Sequence, residues 1–238
     1  MNQTELFEDT PGKQKETTGF YLPESEVAGK SEKPPGLAKL FELSADAFYA
    51  ALHAAMSELP ITAEISRFIE KVCRAGEDTA GGRTTEARAA AGRAASDRGD
   101  PDVLAVLAAA HKVQHEIHRL AGFLRFSPDR NGVYVARCSP DHCVLPALAE
   151  HFTLRFGETP WAIIDEKRGL CLSGGKGGKA RLFRAKMPAA EEGSTEPWEE
   201  LWRLYHRSIN NEARKNPKLQ RQFMPERYQK YLTELHNT

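Results

Sequence analysis

At Gly122 the apolar rhythm of the chain changes. Before it, hydrophobic residues recur at helical spacing; after it they alternate, and the alternation is folded back at Asn131-Gly132. An Asn-Gly pair between two alternating runs is a strong signal for a two-residue hairpin turn, because both central residues must take positive φ. Leu124, Phe126, Val133 and Val135 would then share one face, and Phe123, Arg125, Tyr134 and Ala136 the other.

The helix leading into this hairpin is announced by Asp100-Pro101-Asp102. Asp100 serves as cap, Pro101 takes the first helical position and Asp102 is an acid where the macrodipole favours one. From Pro101 to about Leu120, residues Val106, Val113, Ile117 and Leu120 form a narrow core stripe. His111, His115 and His118 fall within about 60° of one another on nearly the opposite side, beside Val103 and Leu107, which predicts a half-buried histidine face. Lys112, Glu116 and Arg119 take a third sector, expected to face water.

Upstream, Ser44 caps a helix carrying Phe48, Leu52, Ala55 and Met56; Pro60 interrupts; and Ile61, Ile65, Phe68, Ile69 and Val72 line the buried side of a second helix. Residues 75–99, rich in Ala, Gly, Arg and Thr, read as a mobile connector that contains at most a marginal helix over Glu86 to Ala95. Residues 1–38 hold seven acidic side chains and four lysines with little apolar periodicity, so they read as a disordered acidic tail. One apolar island stands in it. Gln3-Thr4-Glu5-Leu6-Phe7 resembles the peptide by which bacterial repair and replication proteins dock on the DNA polymerase sliding clamp, with Gln3, Leu6 and Phe7 as the partner contacts.

Downstream, Ser139-Pro140-Asp141-His142 ends the second strand and opens a helix through Phe156, capped by Asp141. A second hairpin is predicted from Trp161 to Ile164, a turn near Arg168-Gly169 and a strand from Leu170, with an edge strand over Ala180 to Arg184. Two hairpins around a helix give an α+β fold, an antiparallel sheet flanked by N-terminal and C-terminal helices. Trp198, Leu201, Trp202, Tyr205 and Ile209 repeat at three and four as a core stripe, and Asn216-Pro217 and Met224-Pro225 each restart a short helix. The expected organisation is the tail over 1–38 and one domain over 39–238. That domain holds a helical part to 120, the hairpin and helix core over 121–185 and a basic helical part over 195–238.

With 33 basic and 33 acidic residues in 238, the chain is neutral, which argues against a uniformly basic surface but not against a local patch. The patch is C-terminal. Between Arg203 and Lys230, eight cations face only Glu212 and Glu226, with Tyr228 and Tyr231 interleaved. Arg203, Arg207, Arg214, Lys215, Arg221 and Arg227 can neutralise phosphates, while Asn216, Gln220 and Gln222 can hydrogen-bond sugar or base edges. Arg119, Arg125, Tyr134, Arg137 and Arg155 extend this candidate nucleic-acid surface around the hairpin. The competing reading of such a run is a solvated helical face.

Other chemistries are weaker. Three histidines at i, i+4 and i+7 could reach one ion, but no His-Glu-x-x-His signature is present and Cys138 and Cys143 lack ligand spacing, so no metal site is assigned. The four cysteines read as reduced thiols. Ser173 to Lys179 fails as a phosphate loop, since Ser173 stands where a glycine is required and Ala180 where a Ser or Thr would hold magnesium. No cofactor is implied. If the chain is an enzyme, the acid/base candidates are His118, Asp141, His142 and Asp165. No apolar run is long enough to span a bilayer and no signal peptide opens the chain, so a cytoplasmic location is expected.

Three ordered segments then carry a resemblance: HEIHRLAGFLRF from His115, PDHCVLPALAEHFTLRFGETPWAIIDEKRG from Pro140 and LYHRSINNEARKNPKLQRQFMPERYQKYL from Leu204. Together they resemble a bacterial family of DNA-metabolism proteins encoded beside a radical-SAM protein thought to modify or repair DNA, with related domains fused to uracil-DNA glycosylase domains. The resemblance runs from about Leu43 to the C-terminus. Its pattern falls on His118, Arg119, Gly122, Arg125, Phe126, Asp141, His142, Pro146, His151, Arg155, Trp161, Asp165 and Arg168, then on Asn216, Pro217, Gln220, Arg221, Gln222, Pro225 and Tyr228. The cysteines and His111 lie outside it. Many members begin with a strand-like segment that this chain's different lead-in puts in doubt. The resemblance implies a DNA-binding accessory protein, partner to a radical-SAM enzyme. The alternatives are a DNA-acting hydrolase, nuclease or glycosylase-like, and a protein-interaction scaffold.

Overall fold

A computed structural model describes residues 17–18, 35–79, 85–129, 131–184, 201, 204–205, 208 and 216–232. The chain forms two compact units: Leu22–His118 with Asp141–Val144, and Met1–Tyr21 and Arg119–Pro140 with Leu145–Thr238. Each has a core of its own.

The first unit is helical. It contains α1 (Pro35–Leu43), α2 (Ala45–Ala55), α3 (Thr62–Glu77), α4 (Thr85–Ser96) and most of α5 (Pro101–Phe123). The Ser44 hydroxyl accepts the Ala47 N–H at 3.2 Å and so caps α2, as its position predicts. Helix α1 overlaps the end of the expected tail, because Leu40 and Leu43 have a core to enter beside Phe68 and Val72. The connector expected over 75–99 is replaced by the end of α3 and by α4; residues 80–84 are outside the described ones. Ala87, Ala91 and Ala95 explain this, since they are buried at four-residue spacing and their small side chains let α4 lie close on α3. Alanine favours helix strongly but adds little hydropathy, so the segment looks like a linker in sequence.

Helix α5 starts as Asp100-Pro101 predicts. The Asp100 Oδ1 accepts the N–H groups of Asp102 and Val103 at 2.9 and 3.2 Å. Two expectations for its faces are overturned. His111, His115 and His118 are exposed, not half-buried, and Glu116 is 3% exposed, not solvated.

The second unit is a six-stranded sheet in the order β1-β6-β5-β4-β3-β2. Its strands are β1 (Thr17–Thr18), β2 (Ser127–Pro128), β3 (Tyr134–Cys138), β4 (Trp161–Asp165), β5 (Leu170–Gly174) and β6 (Arg181–Arg184), with α6 (Leu145–Phe156) between β3 and β4. The fold class is α+β, and both hairpins form. Yet β3 and β4 run parallel, from Tyr134 beside Trp161 to Cys138 beside Asp165, so the sheet is mixed and not antiparallel. The reason is α6, a 12-residue helix that returns the chain to the starting edge as a parallel crossover requires. Among the described residues, the N-terminal segment contributes the two residues of β1, paired with Arg181 and Leu182.

The first hairpin turns where Asn131-Gly132 predicts, but not as a two-residue turn. The Asp129 N–H donates to the Val133 carbonyl across three residues, its carboxylate accepts the N–H groups of Asn131 and Val133, and Gly132, not Asn131, takes positive φ, at 77°. The leading strand is shorter than the alternation suggests, and Phe126 joins Tyr134 on the α6 side, with its ring 5.1 and 4.7 Å from Phe152 and Phe156. On that side lies an aromatic core of Phe152, Phe156 and Trp161. The opposite side carries Val135, Ala162, Ile164, Cys171 and Phe183.

The C-terminal helices are α7 (Pro217–Phe223) and α8 (Glu226–Gln229). Leu201 and Tyr205, expected in the core, are 65% and 52% exposed, while Trp198, Trp202 and Ile209 are outside the described residues. Among the described residues, no helix is long and apolar enough to cross a membrane.

Candidate functional site

The parallel pair β3/β4 brings two strand ends together, and the loops after them carry polar side chains. Carboxyl ends of adjacent parallel strands are where open sheets commonly place ligands. Glu166, the first residue after β4, donates its N–H to the Cys138 carbonyl at 2.9 Å, which fixes its backbone beside β3. Its carboxylate accepts the Tyr231 hydroxyl at 2.6 Å and faces Lys230 Nζ at 3.5 Å and Arg137 Nη1 at 3.6 Å. Ser139, the first residue after β3, hydrogen-bonds the same tyrosine. Tyr231 and Lys230 reach this place because Tyr228 and Leu232 are buried and anchor the segment after α8, with Tyr228 5.9 Å from the Phe123 ring.

Burial raises the carboxyl of Glu166, but the Tyr231 hydroxyl and the charges of Lys230 and Arg137 outweigh it, and the group sits below the usual glutamate range. Burial first, and then the bond to Glu166, push the Tyr231 phenol far up, so it stays a donor. Arg227 lies over the Tyr228 ring at 4.7 Å and Lys230 over the Tyr231 ring at 4.5 Å.

Next to this cluster Asp165 is fully buried. Its Oδ1 accepts the N–H groups of Lys167 and Arg168, its Oδ2 takes the Arg168 guanidinium at 2.8 Å, and Arg168 also reaches the Pro140 carbonyl. Both oxygens of this acid/base candidate therefore shape the β4–β5 turn.

The other three acid/base candidates belong to the helical unit. His118 is exposed on α5. Asp141 does not cap a helix, since α6 begins at Leu145; instead the N–H groups of Asp141 and His142 donate to the two oxygens of buried Glu116, each at 2.8 Å. The ring of His142 accepts the Glu58 N–H at 3.3 Å and Cys143 donates to the Met56 carbonyl, so this segment is tied to the helices at four points.

Of the nucleic-acid candidates, Arg137 joins the Glu166 cluster, Arg125 bonds the Gly122 carbonyl, and Tyr134 is 37% exposed at the sheet with its ring 5.7 Å from Phe156. Arg119 is half-buried and Arg155 exposed. Asn216 caps α7 by accepting the Leu219 N–H at 3.0 Å, and Gln220, Arg221 and Gln222 are exposed on that helix. Arg203, Arg207, Arg214 and Lys215 lie outside the described residues, as do Gln3, Leu6 and Phe7. Glu166 and Ser139 are the functional candidates that sequence reasoning misses, and Lys230 and Tyr231, seen in sequence as part of the basic C-terminal run, are not linked to them there. No local pattern could find them, because Glu166 and Tyr231 stand 65 residues apart.

Residues 83–234 match a family described as a domain of unknown function, DUF4130. The chain belongs to this family. The DUF4130 match takes in α4, α5 and every element from β2 onward, and leaves out α1 to α3 as well as the N-terminal tail. The similarity therefore starts later than the Leu43 expected from the ordered segments. No curated protein and no solved structure matches the chain.

Proposed function

We propose that this DUF4130 protein is a DNA-binding accessory factor in DNA repair or modification, acting in the cytoplasm beside a radical-SAM enzyme. The observation that carries the DNA contact is α7. None of its residues is buried, it holds Lys218 and Arg221 and no acid, and Phe223 stands 61% exposed. A helix that buries nothing in its own fold, yet is capped and cationic, is suited to a polyanion. Lys218 and Arg221 meet phosphates, Gln220 and Gln222 meet sugar or base edges, and Phe223 offers a face on which an unpaired base can stack. Arg137 and Lys230 add two cations from the strand-end cluster. The radical-SAM partnership and the link to uracil-DNA glycosylase rest on the three ordered sequence segments alone, and the sliding-clamp contact on Gln3, Leu6 and Phe7.

Fluorescence anisotropy with single- and double-stranded oligonucleotides over a salt series tests the reading. Lys218→Ala/Arg221→Ala is expected to weaken binding and to lower the slope of log affinity against log salt by about 1.4 to 1.8. An unchanged slope sinks the α7 contact. Phe223→Ala is expected to weaken single strands more than duplex.

One observation favours a protein contact as a second reading. Leu201, Leu204 and Tyr205 stand 65%, 57% and 52% exposed within four residues of one another. Under this reading they meet the protein partner, and Leu201→Ser/Leu204→Ser reduces co-purification with the radical-SAM enzyme while DNA affinity holds.

A further inference from the structure

We propose that His111 and His115 form a two-ligand site for a late first-row divalent ion of the copper, nickel and zinc class. The two residues lie one turn apart on α5, both exposed. Their Nε2 atoms are 3.1 Å apart and their ring centroids 4.3 Å apart. That separation selects the chemistry. An ion about 2.0–2.1 Å from each imidazole nitrogen would see nitrogens at this spacing under an angle of roughly 95–102°, between the square-planar and tetrahedral values. A hydrogen bond between two exposed imidazoles at the same distance competes with water and is worth little. An ion in the same place replaces that one proton with two coordinate bonds. Imidazole suits these ions, whereas magnesium and calcium require oxygen ligands.

The surroundings limit the site to these two ligands. Among the described residues no group of three or more His, Cys, Asp and Glu side chains could hold a metal. The neighbouring Gln114 is turned to His53, with its Nε2 3.1 Å from that ring. The remaining coordination positions therefore go to water. This site stands on α5 alone and is independent of the DNA reading.

The test is a calorimetric titration of the full chain with Ni²⁺ at pH 7.5 in a non-coordinating buffer. Nickel is chosen because it prefers imidazole and the chain also carries four free thiols. One ion per chain is expected, weakened at least tenfold in His111→Ala and in His115→Ala and unchanged in His118→Ala. Lys112→His/His115→Lys keeps all eight histidines but places two of them at adjacent positions, which do not face each other, so it should bind as weakly as the single variants. All substituted residues are exposed, and far-UV dichroism matched to the parent confirms an intact helix. Absent binding in the parent, or full binding in His111→Ala/His115→Ala or in Lys112→His/His115→Lys, overturns the proposal, and so does a loss in His118→Ala.

Discussion

Each unit gathers two cations around one carboxylate, and the two gatherings are built differently. In the helical unit, Asp102 receives Arg67 through Nε at 3.0 Å and Nη2 at 2.8 Å, and Lys71 at 2.7 Å. Lys71 is also bonded to Asp100 at 2.5 Å. These are charge-assisted hydrogen bonds, all within direct bonding distance, and the cations are committed to joining α3 to the start of α5. In the sheet unit, Arg137 and Lys230 stop 3.6 and 3.5 Å from Glu166, and the shortest contact of that carboxylate is an uncharged phenol. Residue counts alone would rank the two alike. The distances show one as a fastening of the fold and the other as a loosely neutralised group of cations beside a strand end.

The comparison predicts that carboxylates of the helical unit carry stability. The largest effect is expected from Glu116→Ala, which removes a buried carboxylate and leaves the part-buried N–H groups of Asp141 and His142 without it. At about 1 kcal/mol for each hydrogen bond lost, the low end of the range because both N–H groups are only part-buried, denaturant unfolding followed by far-UV dichroism should show a loss of about 2 kcal/mol. A loss below about 1 kcal/mol would mean that water replaces the carboxylate freely and that the segment 141–144 is not held by it.

Next comes Gly174→Ala on β5. A Cβ there would stand 2.6 Å from the Trp161 indole, whose ring is packed by Phe152 and Phe156. Overpacking of this kind costs about 1–3 kcal/mol. Trp161 is itself the residue that would be displaced, so tryptophan fluorescence should register the change there. An unchanged transition would show that the indole can move aside.

How much of this was legible in the sequence follows from the range of the forces involved. The Asp100-Pro101 start, the Ser44 cap and the strands around Arg168-Gly169 are set by residues within a few positions of each other, and the chain shows them directly. The Asn131-Gly132 pair, in contrast, marks the place of the first hairpin turn but not its length, which the Asp129 carboxylate helps to set. The parallel course of β3 and β4 depends on where α6 delivers the chain, which alternation cannot state. Glu116 shares a helix face with Lys112 and Arg119 and so looks solvated. It is buried because two backbone N–H groups some 25 positions away need its oxygens. The Glu166 cluster is equally silent, since its members come from three segments. The histidines show the converse case. Their spacing is plain in sequence, but only the ring geometry distinguishes a two-ligand pair from three separate side chains.

A pH titration sharpens the contrast at lower cost to the fold. Asp102 is held at about 2 against an ordinary 3.8, first by hydrogen bonds from Arg67 and then from Lys71. Because its folded value is depressed, its contribution is complete above about pH 4 and is lost as pH falls through about 2. Asp102→Asn should flatten the far-UV acid transition in that window and leave the tryptophan signal at the same pH nearly unmoved. Equal changes in both signals would remove the distinction between the two ion clusters.

The smallest expected effect bears most directly on function. If Arg137 and Lys230 are only loosely neutralised by Glu166, then Glu166→Gln removes the negative charge set against both while keeping the shape of the side chain. On the proposed DNA reading, affinity at low salt should rise by about threefold, and the salt slope should steepen by about 0.7–0.9 for each cation recruited. Tyr231→Phe should act in the opposite direction. It removes the short 2.6 Å donor, leaves the Glu166 charge in place and throws that charge onto Lys230 and Arg137. The two substitutions alter the same hydrogen bond, so damage to the local fold would weaken DNA binding in both. Opposite signs can come only from the charge available to the ligand, and a shared sign would reduce the strand-end cluster to a fastening like the one around Asp102.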